Sequence, residues 1–226
     1  KWCLRSAMRP FTFHDLTDLF RAFADRMIAE RDMLAELDGE IGDADHGAAM
    51  AVGFDAAARA LFDASPENQT LSQGFGLAAR SLLNAVGATT GPLYASALLR
   101  AGPVFGNLSE APFDQLPRMV IAMSEGIEAR GHGKPGDKTM VDAWAPAAHA
   151  ARKGIDAGQD TCAILLACAR AASEGAESTR AMMAAKGRAA RLGPRSIGHL
   201  DPGAVSAASL LDVLADWAGR AVERRD

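Results

Sequence analysis

Residues 12–37, TFHDLTDLFRAFADRMIAERDMLAEL, carry the pattern that decides the fold. Apolar side chains recur along them three or four positions apart, and Thr12 followed by Asp15 is typical of a helix N-terminus. This spacing predicts one amphipathic helix that ends near Leu37. Strand-like alternation of apolar and polar residues is found nowhere in the chain, which favours an all-α fold.

The same helical spacing returns along the rest of the chain, between stretches rich in glycine, proline and polar residues. It predicts seven more helices, over about residues 47–62, 71–86, from 92 onward, 114–130, 139–153, 160–185 and 202–224. We expect a single domain that spans residues 1–226, with residues 1–11 as an irregular N-terminal extension.

The composition fits closely packed helices. Of the 226 residues, 49% are hydrophobic but only 6% are aromatic, which indicates a core of Ala, Leu, Met and Val. The formal net charge of −4 is spread along the chain, so neither nucleic acid nor an anionic membrane is an expected partner. Without a membrane span or a secretory signal, we expect a cytoplasmic protein whose three cysteines are reduced packing residues.

Four connections between the predicted helices are rich in Gly, Asp, Thr and Lys. They are residues 38–47, 87–91, 131–138 and 187–203, and they follow predicted helices one, three, five and seven. In an up-and-down antiparallel arrangement, alternate connections emerge at the same end. The sequence therefore predicts one composite site at that end.

The first of these connections concentrates carboxylates. Asp38, Asp43 and Asp45 fall within eight residues, among the glycines of LDGEIGDADHG (37–47). Magnesium prefers oxygen ligands, and clustered carboxylates repel one another unless a cation neutralises them. The segment indicates a Mg²⁺ site completed by nucleotide phosphates, although an ordinary capped acidic turn has a similar composition. An EF-hand is excluded, because its third ligand, central glycine and terminal glutamate are missing.

The other three connections carry groups suited to phosphates. GATTGP (87–92) places two threonine hydroxyls at a helix start, where backbone amides and the helix dipole favour anions. GHGKPGDKTM (131–140) contains two lysines, and residues 186–204 contain four cations among glycines. A Thr-capped helix and solvated loops explain these segments almost equally well, although a long irregular segment is often functional or disordered.

Together, pieces of the four connections resemble one protein family. They are similar to motifs of the L subunit of dihydroxyacetone kinases, in the same order and with similar separations. The pieces are GDADHG (42–47), TTGPLY (89–94), PGDKTM (135–140) with Asp142, and the segment 186–204 with KGRAARLG, RSIGH and DPGA. The resemblance covers most of residues 37–204. This sequence departs from the family at Ala88, Thr89 and Thr90, where Gly, Ala and Ser are usual.

The resemblance implies an all-α, eight-helix up-and-down antiparallel barrel with ADP or ATP bound at one end. It implies that Asp38, Asp43 and Asp45 hold two Mg²⁺ ions, and that Arg188 stabilises the transferred phosphate or holds the nucleotide. The nucleotide contacts that it carries over to this chain are His46, Gly47, Ala48, Ala49, Thr89, Thr90, Gly131, Met140, Arg188, Asp201, Pro202 and Gly203.

The resemblance also implies a phosphotransferase that acts with a K subunit, which holds dihydroxyacetone or a similar short ketose. GDADHG together with RSIGH and DPGA is typical of the branch whose phosphoryl donor is a phosphotransferase-system protein and whose ADP stays bound. Two alternatives remain: the C-terminal domain of a fused ATP-dependent kinase, and an ADP-binding regulatory module that acts on a transcription factor. The sequence leaves open whether the chain forms a homodimer.

Overall fold

The computed structural model describes residues 10–64, 69–87 and 89–223. Nine α-helices and two short β-strands lie within these ranges. The helices are α1 (Phe13–Ala29), α2 (Arg31–Ile41), α3 (His46–Asp63), α4 (Leu71–Ala85), α5 (Thr90–Ala101), α6 (Leu116–Gly131), α7 (Val141–Asp156), α8 (Thr161–Ser178) and α9 (Pro202–Glu223). The strands are β1 (Pro10–Thr12) and β2 (Glu110–Pro112).

Eight of these helices form a closed ring. Helix α1 packs against α3, each helix from α3 to α8 packs against the next one in the chain, and α9 returns to α1. Because each helix lies beside the one that precedes it, neighbouring helices run up and down. Helix α2 packs against α3 and α9. The predicted all-α fold, with eight helices in an antiparallel barrel, is confirmed.

Buried apolar side chains fill the interior of the ring as one continuous cluster. Aromatic rings contact one another within it: Phe54 lies 6.5 Å from Phe20 and 5.4 Å from Tyr94 between ring centroids. Small residues bring the helices together elsewhere. At Gly126 on α6, a Cβ atom would lie 2.7 Å from the Ser96 carbonyl oxygen on α5, so only glycine permits this approach.

The prediction of one continuous first helix is wrong, because residues 12–37 are divided between α1 and α2. Glu30 separates the two helices with φ −93° and ψ 2°, although backbone hydrogen bonds of the helical type continue on both sides of it. The chain bends without interrupting the apolar spacing, and spacing alone does not reveal such a bend. Helix α2 also continues past Leu37, so Asp38 lies on a helix and not in a loop.

The two strands correct the expectation of an irregular segment at residues 10 and 11. Strand β1 pairs with β2 in antiparallel register, with Phe11 opposite Ala111. Phe11 is fully buried, and its ring lies 5.2 Å from that of Phe105. Strands of three residues are too short to show alternation in a sequence. Residues 1–9 of the expected extension lie outside the described part of the chain.

Several helix ends differ from their predicted positions. Helix α5 begins at Thr90 and not at Pro92, while α6 and α7 each begin two residues later than predicted. Helix α8 ends at Ser178 and does not continue to Ala185. Tertiary hydrogen bonds replace helical ones beyond this point: the Thr179 carbonyl oxygen accepts from Lys138 Nζ at 2.6 Å, and the Ala185 N–H donates to the Asp137 carbonyl oxygen at 3.0 Å. The break expected at residues 65–68 and the end of the last helix fall outside the described residues.

Two expectations concern the surroundings of the chain. None of the described helices combines the length with the apolar character that a membrane crossing requires.

Cys168 is a buried residue of α8, and burial raises the pKa of its thiol to about 12. A protonated thiol in the core agrees with the predicted packing role, whereas Cys3 lies outside the described residues.

Candidate functional site

A cavity of about 190 Å³ opens at one end of the ring. Its walls come from the connections α2–α3, α4–α5, α6–α7 and α8–α9, so the four glycine-rich connections meet there as the helix order predicts. The predicted site residues in its lining are Asp38, Asp43, Asp45, His46, Thr89, Thr90, Met140, Arg188, Asp201, Pro202 and Gly203. The other four, Gly47, Ala48, Ala49 and Gly131, lie outside the lining.

Three carboxylates converge at one wall of the cavity. Asp38, Asp43 and Asp45 each offer one oxygen, and these oxygens lie within 4.8 Å of one another. Asp38 is buried in the last turn of α2, and its Oδ2 accepts the backbone N–H groups of Asp45, at 2.9 Å, and of His46, at 3.1 Å. These two bonds satisfy N–H groups at the start of α3 and hold the acidic loop between α2 and α3 in place.

Glycines shape this acidic loop. A Cβ atom at Gly42 would overlap the carboxylate of Asp38, and one at Gly47 would overlap the carbonyl oxygen of Arg31 in α2. Gly42 therefore leaves room for the carboxylate, and Gly47 lets α3 begin directly against the backbone of α2. The structure gives Gly47 a packing role in addition to the nucleotide contact that the resemblance implies.

His46 connects the acidic loop to α9. Its Nε2 lies 2.9 Å from the Ser206 hydroxyl, which in turn donates to the Gly203 carbonyl oxygen at 3.0 Å. Because that hydroxyl proton is used, Nε2–H is the donor to Ser206, and Nδ1 is left as an acceptor facing the Thr90 hydroxyl at 3.5 Å. Burial lowers the pKa of His46 to about 4, against the opposing charge of Asp38. The imidazole is therefore neutral at pH 7.

The start of α5 forms a second wall. Thr89, Thr90 and Leu93 from its first turns line the cavity. The N–H groups of a first helical turn lack intrahelical partners and carry the positive end of the helix dipole, so this wall suits anionic oxygens. Gly131, at the end of α6, is close behind it, because a Cβ atom there would lie 2.9 Å from Leu93 Cδ2. The departure at Ala88 lies outside the described residues.

Arg188 brings a cation to the carboxylates. Its guanidinium forms an ion pair with Asp43, and its Nη2 lies 3.8 Å from Asp45 Oδ2. The residue begins the 3₁₀ segment Ala189–Ser196 as its N-cap, within the long connection between α8 and α9. The resemblance assigns Arg188 to the nucleotide or the transferred phosphate, and in the structure its guanidinium contacts the acidic loop.

Asp201 lies on the floor of the cavity at the start of α9. Its Oδ2 accepts the Ala204 N–H at 2.7 Å, as a helix cap does, and burial raises the pKa of the carboxyl group to about 7. Asp142 orders the neighbouring α6–α7 connection by accepting the N–H groups of Gly136, at 2.5 Å, and of Thr139, at 2.8 Å.

Sequence reasoning missed the role of Lys138. This lysine lies in a connection that the sequence leaves open between a nucleotide-binding loop and a solvated loop, yet it lines the cavity and is almost completely buried. Its Nζ donates to the carbonyl oxygens of Thr179, at 2.6 Å, and of His199, at 2.5 Å. Both acceptors are backbone groups, so no pairing of side-chain types in the sequence could have indicated these contacts.

Comparison with known proteins identifies the class to which this ring and its acidic cavity belong. A profile of the DAK2 domain matches residues 40–216, and the chain therefore belongs to the DAK2-domain family. Among the similar proteins is the ADP-binding subunit DhaL of PEP-dependent dihydroxyacetone kinase 2 from Listeria innocua, 38% identical over 85% of this chain and 89% of that subunit. The corresponding Escherichia coli subunit is 37% identical over 82% of this chain and 88% of that subunit.

A solved structure shares the fold. The dihydroxyacetone kinase of C. freundii, in complex with AMP-PNP and Mg²⁺, matches 88% of this chain with a TM-score of 0.64 and 23% sequence identity. The match covers 33% of that protein, so this chain spans about a third of its length. The likeness agrees with the all-α ring seen here.

Proposed function

We propose that this chain is the nucleotide-binding, phosphoryl-transferring subunit of a dihydroxyacetone kinase. The observation that carries the proposal is the convergence of three carboxylates, a helix N-terminus and an arginine on one cavity. Phosphoryl transfer depends on neutralising and aligning phosphate oxygens more than on covalent chemistry by the protein. These groups meet that requirement, and the ADP-binding subunits among the relatives support it.

The donor set fits magnesium. Asp38, Asp43 and Asp45 offer only carboxylate oxygens, the ligands that Mg²⁺ prefers together with phosphate oxygens and water. We assign them to two Mg²⁺ ions, which when bound would neutralise the nucleotide phosphates. Asp38 also holds the start of α3, so its carboxylate is already oriented by two backbone N–H groups.

Arg188 has two partners in this proposal. It pairs with Asp43 and Asp45 in the structure, and a guanidinium also binds phosphate oxygens well. Magnesium on those carboxylates would compete with the guanidinium for the same oxygens. We infer that Arg188 turns from the carboxylates to the transferred phosphate when Mg²⁺ and nucleotide bind.

The remaining nucleotide contacts are proposed from the cavity and the family resemblance together. Thr89 and Thr90 offer hydroxyls at the start of α5, and His46 holds Thr90 with a neutral ring nitrogen. Further lining residues from the resemblance are Met140, Asp201, Pro202 and Gly203. Gly47, Ala48, Ala49 and Gly131 stay predictions of contact from the resemblance alone.

The acceptor is placed on a partner. Phosphate passes from this site to dihydroxyacetone, or a similar short ketose, held on a separate K subunit that docks at the open end of the ring. The GDADHG and RSIGH motifs and the PEP-dependent relatives favour a phosphotransferase-system protein as phosphoryl donor, with ADP kept bound and rephosphorylated in place. We also propose that the chain acts in the cytoplasm. Size measurements in solution would decide whether the chain forms a homodimer.

The test is single-turnover transfer from ATP to dihydroxyacetone loaded on a K subunit. Asp43→Ala and Asp45→Ala should each abolish transfer while circular dichroism shows unchanged helical content, because these side chains lie on an exposed loop outside the core. The matched control is Asp63→Ala, which removes an exposed carboxylate at the opposite end of α3. Unchanged transfer in either loop variant would reject the assignment.

A further inference from the structure

Lys138 combines two costly features. Its side chain is 1% exposed, and its backbone is left-handed with φ +60°, a conformation that residues other than glycine rarely adopt. A buried ammonium is unfavourable unless hydrogen bonds and nearby charges compensate it. Strained backbone that persists in a folded protein is concentrated at functional sites. Together, the burial and the left-handed backbone of Lys138 indicate that its side chain holds another segment of the site in place.

The two acceptors of Lys138 are the ends of one loop. Thr179 is the C-cap of α8, and His199 lies three residues before the start of α9. We call residues 179–199 the Arg188 loop, because Arg188 lies near its middle. A helix C-terminus presents carbonyl groups without intrahelical partners and the negative end of the dipole, so an ammonium is favoured there. One ammonium therefore joins the two ends of the Arg188 loop.

The base of the loop is closed by further contacts between its two ends. The Gly198 N–H donates to the Arg180 carbonyl oxygen at 2.8 Å, and the Arg180 side chain donates back to the Gly198 carbonyl oxygen at 3.2 Å. The Asp201 N–H donates to the Thr179 hydroxyl at 3.0 Å. These bonds hold the two ends to each other, but they do not connect the loop to another part of the cavity.

Lys138 and its neighbour connect the Arg188 loop to the α6–α7 connection. Ala185 lies three residues before Arg188, and its N–H donates to the Asp137 carbonyl oxygen at 3.0 Å. The ammonium of Lys138 lies at the base of the same loop, where burial lowers its pKa and the charge of Asp201 opposes that change. The α6–α7 side of the cavity therefore holds the base of the Arg188 loop, and His199 at the end of that loop also contacts Glu40 of α2, with Nδ1 3.0 Å from Oε2.

We propose that Lys138 is a positioning residue that acts through Arg188. By fixing the base of the Arg188 loop, its ammonium keeps the guanidinium within reach of Asp43, Asp45 and the nucleotide phosphates. The inference rests on the proposed nucleotide site. It adds a residue that contacts neither metal nor phosphate in this role, and it predicts that the effects of Lys138 and Arg188 on nucleotide binding are not independent.

The test is a double-mutant cycle on ADP affinity, measured by calorimetry in Mg²⁺. Lys138→Met and Arg188→Ala should each weaken binding about tenfold, and the double variant should bind within about twofold of Arg188→Ala, because coupled residues do not contribute additively. Lys153→Met removes an exposed lysine near the end of α7, outside the cavity lining, and should bind as the wild type does. Lys138→Arg keeps a cationic donor and should lose less affinity than Lys138→Met.

Hydrogen exchange separates positioning from general stability. In nucleotide-free protein, Lys138→Met should speed exchange of residues 180–198 and leave the ring helices α3 to α6 unchanged. Additive losses, of about a hundredfold in the double variant, would overturn the proposal. So would a loss of overall helical content, because Lys138 would then support the whole ring. If wild-type protein binds no ADP, the proposed function fails, while the exchange result still decides whether Lys138 holds the loop.

Discussion

The guanidinium of Arg188 lies on Asp43 and Asp45, where its side chain is 57% exposed. A guanidinium and a divalent cation neutralise the same carboxylate oxygens, so they compete for them. An exposed ion pair contributes little to stability, and the contact can therefore be exchanged at small cost. At the scale of single residues, the acidic loop has an internal counter-ion that is readily displaced.

This exchange gives opposite expectations for metal and nucleotide. Arg188→Ala should raise the affinity for Mg²⁺ alone by about two- to fivefold, the size of an exposed ion pair, because the competing cation is gone. The same variant should weaken ADP binding in Mg²⁺, because a phosphate partner is lost. Calorimetric titrations with each ligand measure both effects. The control is Arg59→Ala, which removes an exposed arginine on α3 and should change neither the Mg²⁺ affinity nor the ADP affinity. Unchanged Mg²⁺ affinity in Arg188→Ala would disprove competition between Arg188 and Mg²⁺ for the carboxylates.

His46 provides a pH-dependent term in the stability of the fold. Burial lowers its pKa from 6.5 to about 4, so between these values the unfolded chain binds a proton that the folded chain does not. The contribution of His46 to the free energy of unfolding is therefore fully present above pH 6.5 and is lost as the pH falls through 4. The total loss is about 3 kcal/mol.

Denaturant unfolding in EDTA from pH 7 to pH 4 measures this term. His46→Gln should lose less stability over that range than the wild type does, because glutamine has no proton to bind. His14→Gln is the matched control, since His14 has an 82% exposed side chain on α1. An identical loss of stability in His46→Gln and in the wild type would contradict the buried neutral imidazole.

At the scale of elements, the contact between α2 and α3 depends on one glycine. A Cβ atom at Gly47 would overlap the Arg31 carbonyl oxygen and would lie 2.8 Å from the Ala35 nitrogen, both of them backbone atoms that cannot move aside as a side chain can. This contact sets the start of α3, where His46 and the acidic loop are attached. A shift of α3 relative to α2 at Gly47 would therefore also move His46 and the acidic loop.

Two glycine replacements test this contact. Gly47→Ala should destabilise the protein by about 2 kcal/mol or more, because the new methyl group enters a packed backbone contact. Gly219→Ala, in α9 where no atom lies within 4 Å of the added Cβ, should stabilise it by up to about 1 kcal/mol through helix propensity. Chemical denaturation gives both values. Equal effects of the two replacements would show that α2 and α3 do not require close approach at Gly47.

At the scale of the whole molecule, the helix order was sufficient to predict that the four glycine-rich connections meet at one end of the ring. The connections after alternate helices were expected at one end, and eleven of the predicted contacts line the cavity there. The bend at Glu30 and the pairing of β1 with β2 were not predictable, because neither changes the local apolar spacing. The burial of Lys138 was hidden for a different reason, since its partners are backbone carbonyls far along the chain.

The most direct test of the proposed magnesium-dependent nucleotide site is a calorimetric titration of the purified chain with ADP, in Mg²⁺ and in EDTA. Without a metal, the diphosphate would face Asp38, Asp43 and Asp45 directly, and like charges at short range repel. We expect binding in Mg²⁺ and a loss of affinity of about a hundredfold or more in EDTA, equal to at least about 3 kcal/mol. Equal affinities under the two conditions would contradict a metal-bridged nucleotide at this site.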